Sequence, residues 1–425
     1  MAWKHLNQLR RYIGSSLWVV PFIAIPFELV ATRLVHRLDA WLGWPFLGVA
    51  VPGAQATLEA IVTATLSFIV FTFGSLLVAI QVASAQMTPR IIATTLLRDK
   101  VVKYTVGLFI FTLLFALSAQ NRMDKEVHQL VVFVTAVLGV SCFAAFFYLI
   151  DYASRLLRPI SILTRVGNRG IAVIRSVYPE MSLGPDSQGR HPALASPGRV
   201  IPHEGTSEII LAVDLKTLLD QAERANGIIE FVPQVGDFVA QDEPLFNLYG
   251  TAAKLDEGTL RAAVLFGPER TMEQDPTFAF RIVIDIALKA LSPAINDPTT
   301  AVLAIDQLHR MLRMVGKRHL RTDEIFGPSG QFRVFFRTPD WEDFVHLAFS
   351  EIRACGANNL QIVRRLRAMI ENLIQTLPAH RHPVLLQELD LLDREIWRHF
   401  SDPEDQSLAR IADSQGLGGH SGQSN

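Results

Sequence analysis

Four long apolar runs crowd the first third of the chain, at roughly 15–35, 60–86, 104–120 and 129–150. Each approaches the length of about 20 residues with which a helix crosses hydrocarbon. In that medium every backbone polar group must be satisfied within the protein, which leaves helices and closed barrels. The runs are continuous rather than alternating. They predict a membrane α-helical domain of four transmembrane helices, with the lipid bilayer as its first partner. The first run continues past the length of a signal peptide, and no small-residue cleavage pattern follows it. Pro21 and Pro26 lie inside it and predict a kink. Glu28 is a candidate intramembrane acid; its other reading is a side chain snorkelling at the outer interface. Residues 36–58, with Trp41, Trp44, Pro45 and Pro52, read as an interfacial loop.

Lysine and arginine set the orientation. Lys4, Arg10 and Arg11 precede the first span; Arg90, Arg98, Lys100 and Lys103 lie between the second and third; Arg155, Arg158, Arg165 and Arg169 follow the fourth. The opposite loops hold Arg33 and Arg37, and Arg122 and Lys125. Positive-inside logic then puts both termini of a multi-pass membrane protein in the cytoplasm.

The expected organisation is a cytosolic N-terminus (1–14) and a transmembrane domain with a helical extension of its fourth span (15–178). A Pro/Gly/Ser-rich linker (179–199), a small β-rich module (200–255), a mainly helical domain (256–400) and a disordered Gly/Ser-rich tail (401–425) follow. The cytosolic part is thus an α+β domain with a small β-module and C-terminal helices. Strands are expected at 209–213, 227–232, 237–239, 244–249 and 331–338, with Asp214 and Asp340 capping helices. The turn Pro233–Val239 with Pro244–Phe246 is similar to the hammerhead turn of biotinyl/lipoyl-type domains; the carrier lysine is absent, so no prosthetic group or other cofactor is expected.

Between two apolar-periodic segments lies Ala290-Leu291-Ser292-Pro293-Ala294-Ile295-Asn296-Asp297-Pro298-Thr299-Thr300-Ala301. Proline stops one helix near Leu291, and Asp297 caps another that starts at Pro298. The turn is either structural or a place where Asn296, Asp297 and Thr299 meet a ligand or a neighbouring subunit. With Glu269–Pro276, Thr88-Pro89-Arg90 and the four spans, this segment resembles a bacterial family of predicted membrane proteins of unknown function, whose hallmark is L-S-P-x-I-N-D-P-T-T-A. That resemblance implies fold and location, and no established reaction.

The second span carries a polar stripe. Thr65, Thr72 and Gln86 follow one heptad line through Ala79; Ser67, Gly74 and Gln81 follow a neighbouring line, with Ser75 beside them. Such a stripe lines a water-filled path in a homo-oligomer or packs helices closely. Glu269, Glu273, Asp275, Asp285, Asp297 and Asp306 could offer oxygen ligands to a divalent cation, but the pattern also suits caps and ion pairs. Arg364, Arg365, Arg367 and Arg381 read as a solvated helix face or one facing anionic lipid. A formal charge of -1 gives no basic excess for nucleic acid, and two cysteines in unlike contexts make no disulfide framework. No phosphate loop, nucleophile elbow or catalytic Cys/His pair is present in the sequence. The leading reading is a homo-oligomeric channel or transporter for an ion or small ligand. A scaffold or sensor, and a membrane-tethered metal-dependent enzyme, are the alternatives.

Overall fold

A computed structural model describes residues 19–42, 48–86 (backbone alone at 83–86), 99–122, 127–156, 158–182, 184, 196–320, 323–328 and 330–418. Within it Leu6–Ile162 and Leu163–Asn425 form two compact units.

The first unit holds helices α1 (Val19–Leu42), α2 (Val51–Gln86), α3 (Lys100–Gln120) and α4 (Gln129–Leu156). All four are long and apolar enough to cross a membrane. The helix α1 runs unbroken through Pro26 and ends at Leu42, and α2 begins at Val51, with Pro52 in its first turn. The loop expected at 36–58 is therefore much shorter. Pro52 belongs to a helix start, where its missing N–H costs nothing. At about 1.5 Å per residue, the 36 residues of α2 exceed a hydrocarbon core of about 30 Å.

Helix α3 is the hub. It packs against α1, α2 and α4, and half of its most apolar stretch is buried, against 11 % for α2. Asp99 caps its start, accepting from Val101 N and from the Tyr152 hydroxyl of α4 at 2.6 Å. Gly107 lets α1 approach: a Cβ there would stand 2.8 Å from Val20 Cγ1. Phe109, Phe115 and Ala116 on α3, with Leu58 and Val131, form the buried centre.

The second unit begins with α5 (Pro159–Val177), whose Gly167 and Gly170 face Gln307 and Met311. Nine of its further elements are β1 (Arg199–Pro202), β2 (Glu208–Val213), α6 (Leu215–Ala225), β3 (Ile228–Phe231), β4 (Phe238–Val239), β5 (Pro244–Tyr249), α7 (Glu257–Ala262), β6 (Val264–Gly267) and α8 (Pro276–Leu291). Then come α9 (Pro298–Gly316), β7 (Glu324–Phe326), β8 (Phe332–Phe336), α10 (Trp341–Gly356), α11 (Leu360–Thr376), α12 (His382–His399) and α13 (Pro403–Ala409). One sheet has the order β1-β5-β3-β8-β7 and the other β4-β2-β6. Strand β8 joins β3 in parallel, pairing Ile229 with Val334. The β-part is thus wider than the expected 200–255 module, because β6, β7 and β8 come from later in the chain. The helices α8 to α12 pack around Phe280, Phe344, Phe349, Leu308 and Leu373.

Three helices begin the same way, with Asp275-Pro276, Asp297-Pro298 and Asp402-Pro403. Each aspartate accepts a backbone N–H of the first turn, from Phe278, Thr300 and Glu404. The side chain satisfies a donor that the helix leaves open, and proline sits where no donor is required. The third case corrects the expectation of a disordered 401–425 tail. Residues 403–409 are helical, and the chain through Gly418 lies on α11. Part of the expected linker is ordered too: Ser182 N bonds Lys317 O and His319 N bonds Glu180 O. Residues 1–14, 87–98, 185–195 and 419–425, which carry several expected segments, lie outside the described residues.

Candidate functional site

The stripe on α2 divides in two. Residues two apart on a helix are separated by about 200° around its axis, so lines that begin at Thr65 and Ser67 cannot be neighbours. The structure places them on nearly opposite faces. Thr65, Thr72 and Ala79 are buried against the other spans. Ser67, Gly74 and Gln81 are exposed on the outside of the subunit, and Ser75, about 60° around the helix from Thr72, is exposed at the groove beside it. The expected single stripe is therefore corrected: among the described residues one line is packed against the other spans and the other faces outward. The side chain of Gln86 lies outside the described residues.

The buried line satisfies itself unevenly. Thr65 Oγ1 donates to Ile61 O at 2.6 Å, the usual return of a hydroxyl to its own helix. It borders a groove between α2 and α4 where Gly139 meets Ile61. Thr72 Oγ1 is buried and has no hydrogen-bond partner among the described residues. It lies in an apolar groove of about 580 Å³ between α2, α3 and α4, together with Gly74, Ser75, Val102 and Leu149.

Two more polar residues of α2 share the exposed face. Glu59 and Thr63 are exposed. With a helix advancing about 100° per residue, Glu59, Thr63, Ser67, Gly74 and Gln81 fall within an arc of about 80°. Glu59 is the one ionisable residue in the sequence of α2. Ser67 Oγ donates back to Thr63 O at 2.8 Å. A Cβ at Gly74 would meet nothing within 4 Å. On that side the helix presents one acid, one amide, two hydroxyls and a bare glycine, with the exposed Val70 and Leu77 in the same arc.

Glu28 sits neither in lipid nor at a free surface. It is buried on α1 and accepts from Thr32 Oγ1 at 2.6 Å, one turn on. Asp39 is a further buried acid in this unit. Its carboxylate accepts from Leu130 N at 2.9 Å and contacts His128 Nδ1 at 2.9 Å, tying the end of α1 to the start of α4. His36 stands edge-on to His128. Since α1 ends near 42, these groups sit at one end of the helix set and serve as a helix-end clasp.

The anchor turn folds as its residues dictate. Asn296 N and Ile295 N donate to Ser292 O, and Asp297 N donates to Ala290 O at 2.8 Å. Asn296 has φ +49°, a left-handed conformation that asparagine adopts more readily than most residues. Asp297 holds Thr300 N at 3.0 Å and Thr300 Oγ1 at 2.5 Å, a cap worth about 1 kcal/mol. Asn296 and Thr299 are exposed, and Asp297 is half-buried. All three are engaged in or beside the turn, so geometry accounts for their types without a ligand.

The acidic set is dispersed. Asp275 pairs with Arg270, Asp285 Oδ1 accepts from Arg281 Nε at 2.7 Å, and Asp306 accepts from Arg365 Nε at 2.7 Å. No group of three or more His, Cys, Asp or Glu side chains is placed to hold a metal among the described residues. The four arginines overturn the expectation of a solvated or lipid-facing surface. Arg364, Arg365, Arg367 and Arg381 are all buried. Arg367 pairs with Asp393, and Arg381 lies 5.6 Å over the Trp341 ring and donates to Arg318 O at 3.0 Å. Buried guanidinium groups persist when their donors are met, and here carboxylates and carbonyls from distant segments meet them.

Comparison with known proteins agrees with the membrane half and names no chemistry. Uncharacterised proteins of Mycobacterium tuberculosis and Mycobacterium bovis are 24 % identical over 419 residues, covering 93 % of this chain and 79 % of theirs. No solved structure matches. A family model described as "Predicted membrane protein (DUF2254)" matches residues 14–372, a stretch that takes in all four spans, both sheets and the Asn-Asp-Pro turn. Four apolar helices followed by that turn, in one continuous match, make this chain a member of that family.

Proposed function

We propose that the chain forms a homo-oligomeric channel or transporter in which copies of α2 surround a shared path. The observation that carries this is the exposed arc of Glu59, Thr63, Ser67, Gly74 and Gln81 on a helix with 11 % of its most apolar stretch buried. In hydrocarbon each unpaired polar group is costly, so such a face is covered by protein or by water. Copies of α2 meeting around an axis supply both. Serine, threonine and glutamine then line the path, and Gly74 gives it width. Glu59 sets a preference for cations, as acidic rings do in cation channels. The C-terminal unit assembles or gates the path from the cytoplasm.

Purified protein in planar bilayers tests this. An oligomer with measurable ion flux under voltage, tension or a pH step is expected. Ser67→Cys and Gln81→Cys should react with aqueous thiol reagents, and Thr65→Cys should not. Silence under all three stimuli, with Ser67→Cys unreached by reagent, sinks the proposal.

Orientation has its own check. Positive-inside places Asn121, at the end of α3, outside the cell and the exposed Cys355 of α10 inside. An impermeant thiol reagent added to intact cells should label Asn121→Cys and leave Cys355 unlabelled until the cells are opened. The reverse pattern inverts the topology.

A further inference from the structure

The C-terminal unit contains a cavity of about 490 Å³ where its sheets meet its helices. Its walls come from seven places in the sequence: the end of α5, the β2–α6 junction, the end of β3 with its following turn, the start of α8, His319 after α9, β7, and the end of β8 with the segment after it. Phe231, Phe336, Ile325 and Val213 give it an apolar floor, and carboxylates at Glu180, Asp275 and Glu324 border it. Arg337 at the lip is exposed. The volume falls in the range of small-molecule sites, about 300–1,000 Å³.

Tyr178 marks the cavity as more than a packing defect. Its ring is fully buried and stands edge-on to Phe344 at 6.2 Å. Its hydroxyl is buried with no hydrogen-bond partner among the described residues. A buried hydroxyl left unpaired costs about 1–3 kcal/mol, so a native structure that keeps one invites a partner. Burial, and then the carboxylates of Asp275, Asp343 and Asp340, raise the phenol's pKa, so it stays protonated. Glu180 and Glu324, which line the cavity and outnumber Arg337, disfavour an anion beside the hydroxyl. They favour a positively charged group, whose N–H donates to the Tyr178 oxygen.

The wall is also well built. Asp275 is buried and held by Arg270 and Thr277. Gly236, with φ +96°, carries the Gln234–Asp237 turn directly over that pair, where any Cβ would collide with Arg270 and Asp275. Gln274 locks the start of α8 to β2, accepting from Val213 N at 2.9 Å. The acid beside the cavity is therefore fixed in place rather than mobile.

We infer that this cavity is a binding site for a small monocationic amine with an aromatic or alkyl body. The ammonium bonds the Tyr178 hydroxyl oxygen on the acidic side, and the body lies against Phe231 and Phe336, whose faces attract a cation as well as apolar surface. The site stands or falls independently of conduction through the membrane.

Three probes of one size separate the classes: 2-phenylethylammonium, neutral 2-phenylethanol and anionic phenylacetate. Each is titrated calorimetrically into full-length detergent-purified protein. The ammonium should bind at least tenfold tighter than the other two and raise the melting temperature. Tyr178→Phe should weaken it about tenfold, the worth of a hydrogen bond to a charged group, while the unliganded variant melts at or above the parent temperature. Gln234→Trp, which fills the cavity from the turn, should abolish binding without lowering stability, and serves if Tyr178→Phe fails to fold. Equal binding of the three probes, tightest binding of phenylacetate, no binding of the ammonium, or unchanged affinity in both variants overturns the inference.

Discussion

Gly74→Trp should leave the subunit folded and the oligomer intact, and reduce ion flux through reconstituted protein at least tenfold. The glycine is exposed midway along α2, and a side chain there meets nothing within 4 Å in its own subunit. An indole on that face projects toward the proposed axis from every copy at once. Gly107→Trp supplies the contrast. Its Cβ would stand 2.8 Å from Val20 Cγ1 in the buried centre of the first unit. Overpacking there costs typically about 1–3 kcal/mol for a few added methylenes, and an indole adds far more, so this variant should be lost to misfolding. Two tryptophans in one membrane unit thus separate a path from a core. Flux and oligomer mass are measured together. A Gly74→Trp protein with parent-level flux removes α2 from the path, and one that no longer folds returns Gly74 to packing.

Local features of this division are legible in the sequence, and convergent ones are not. The four spans follow from length and apolarity alone, although their ends do not, and α2 starts at Val51 rather than near 60. The bounds of α8 and α9 follow from the prolines and from Asp297, because capping is local chemistry between residues three apart. The same Asp-Pro signal at Asp402-Pro403 announces α13, but the Gly/Ser-rich composition after it drew attention away. The two lines on α2 were separable by the 100° step, a calculation that needs no coordinates. Other features had no local signal. Parallel pairing of β3 with β8 joins segments about a hundred residues apart, and a strand's own sequence does not name its partner. Tyr178 is one tyrosine after a helix. Its burial, its unpaired hydroxyl and the cavity beside it come from seven separate stretches converging. The arginines of α11 looked solvated because charge is mostly exposed, and the groups that satisfy them lie elsewhere in the chain.

That last point carries the largest stability prediction. Arg364→Met should cost about 1–3 kcal/mol, because two carbonyls of the C-terminal loop lose a charged donor. Arg364 is fully buried; its Nε donates to Ile411 O at 3.0 Å and a terminal nitrogen to Gly418 O at 2.9 Å. The segment it holds is organised around Asp413, whose carboxylate accepts from Gln415, Gly416 and Gly418 backbone N–H groups. Gly416, at φ +71°, brings that loop against Val302 of α9, and Gln361 Nε2 donates to Gly416 O at 2.6 Å. The arginine therefore fastens the C-terminal loop to α11 and, through it, to α9. Methionine keeps the length and apolar stem and removes the donors, so the loop should detach before the helices melt. Limited trypsin digestion reports this directly, since Arg410 lies on the stem of that loop. Cleavage after Arg410 should be rapid in Arg364→Met and slow in the parent. Arg394→Met is the matched control. Arg394 is exposed on α12 and pairs one turn away with Asp390, a surface contact worth at most about 1 kcal/mol. If Arg364→Met melts with the parent and Arg410 stays protected, the loop is held by its apolar contacts and the buried guanidinium is incidental to it.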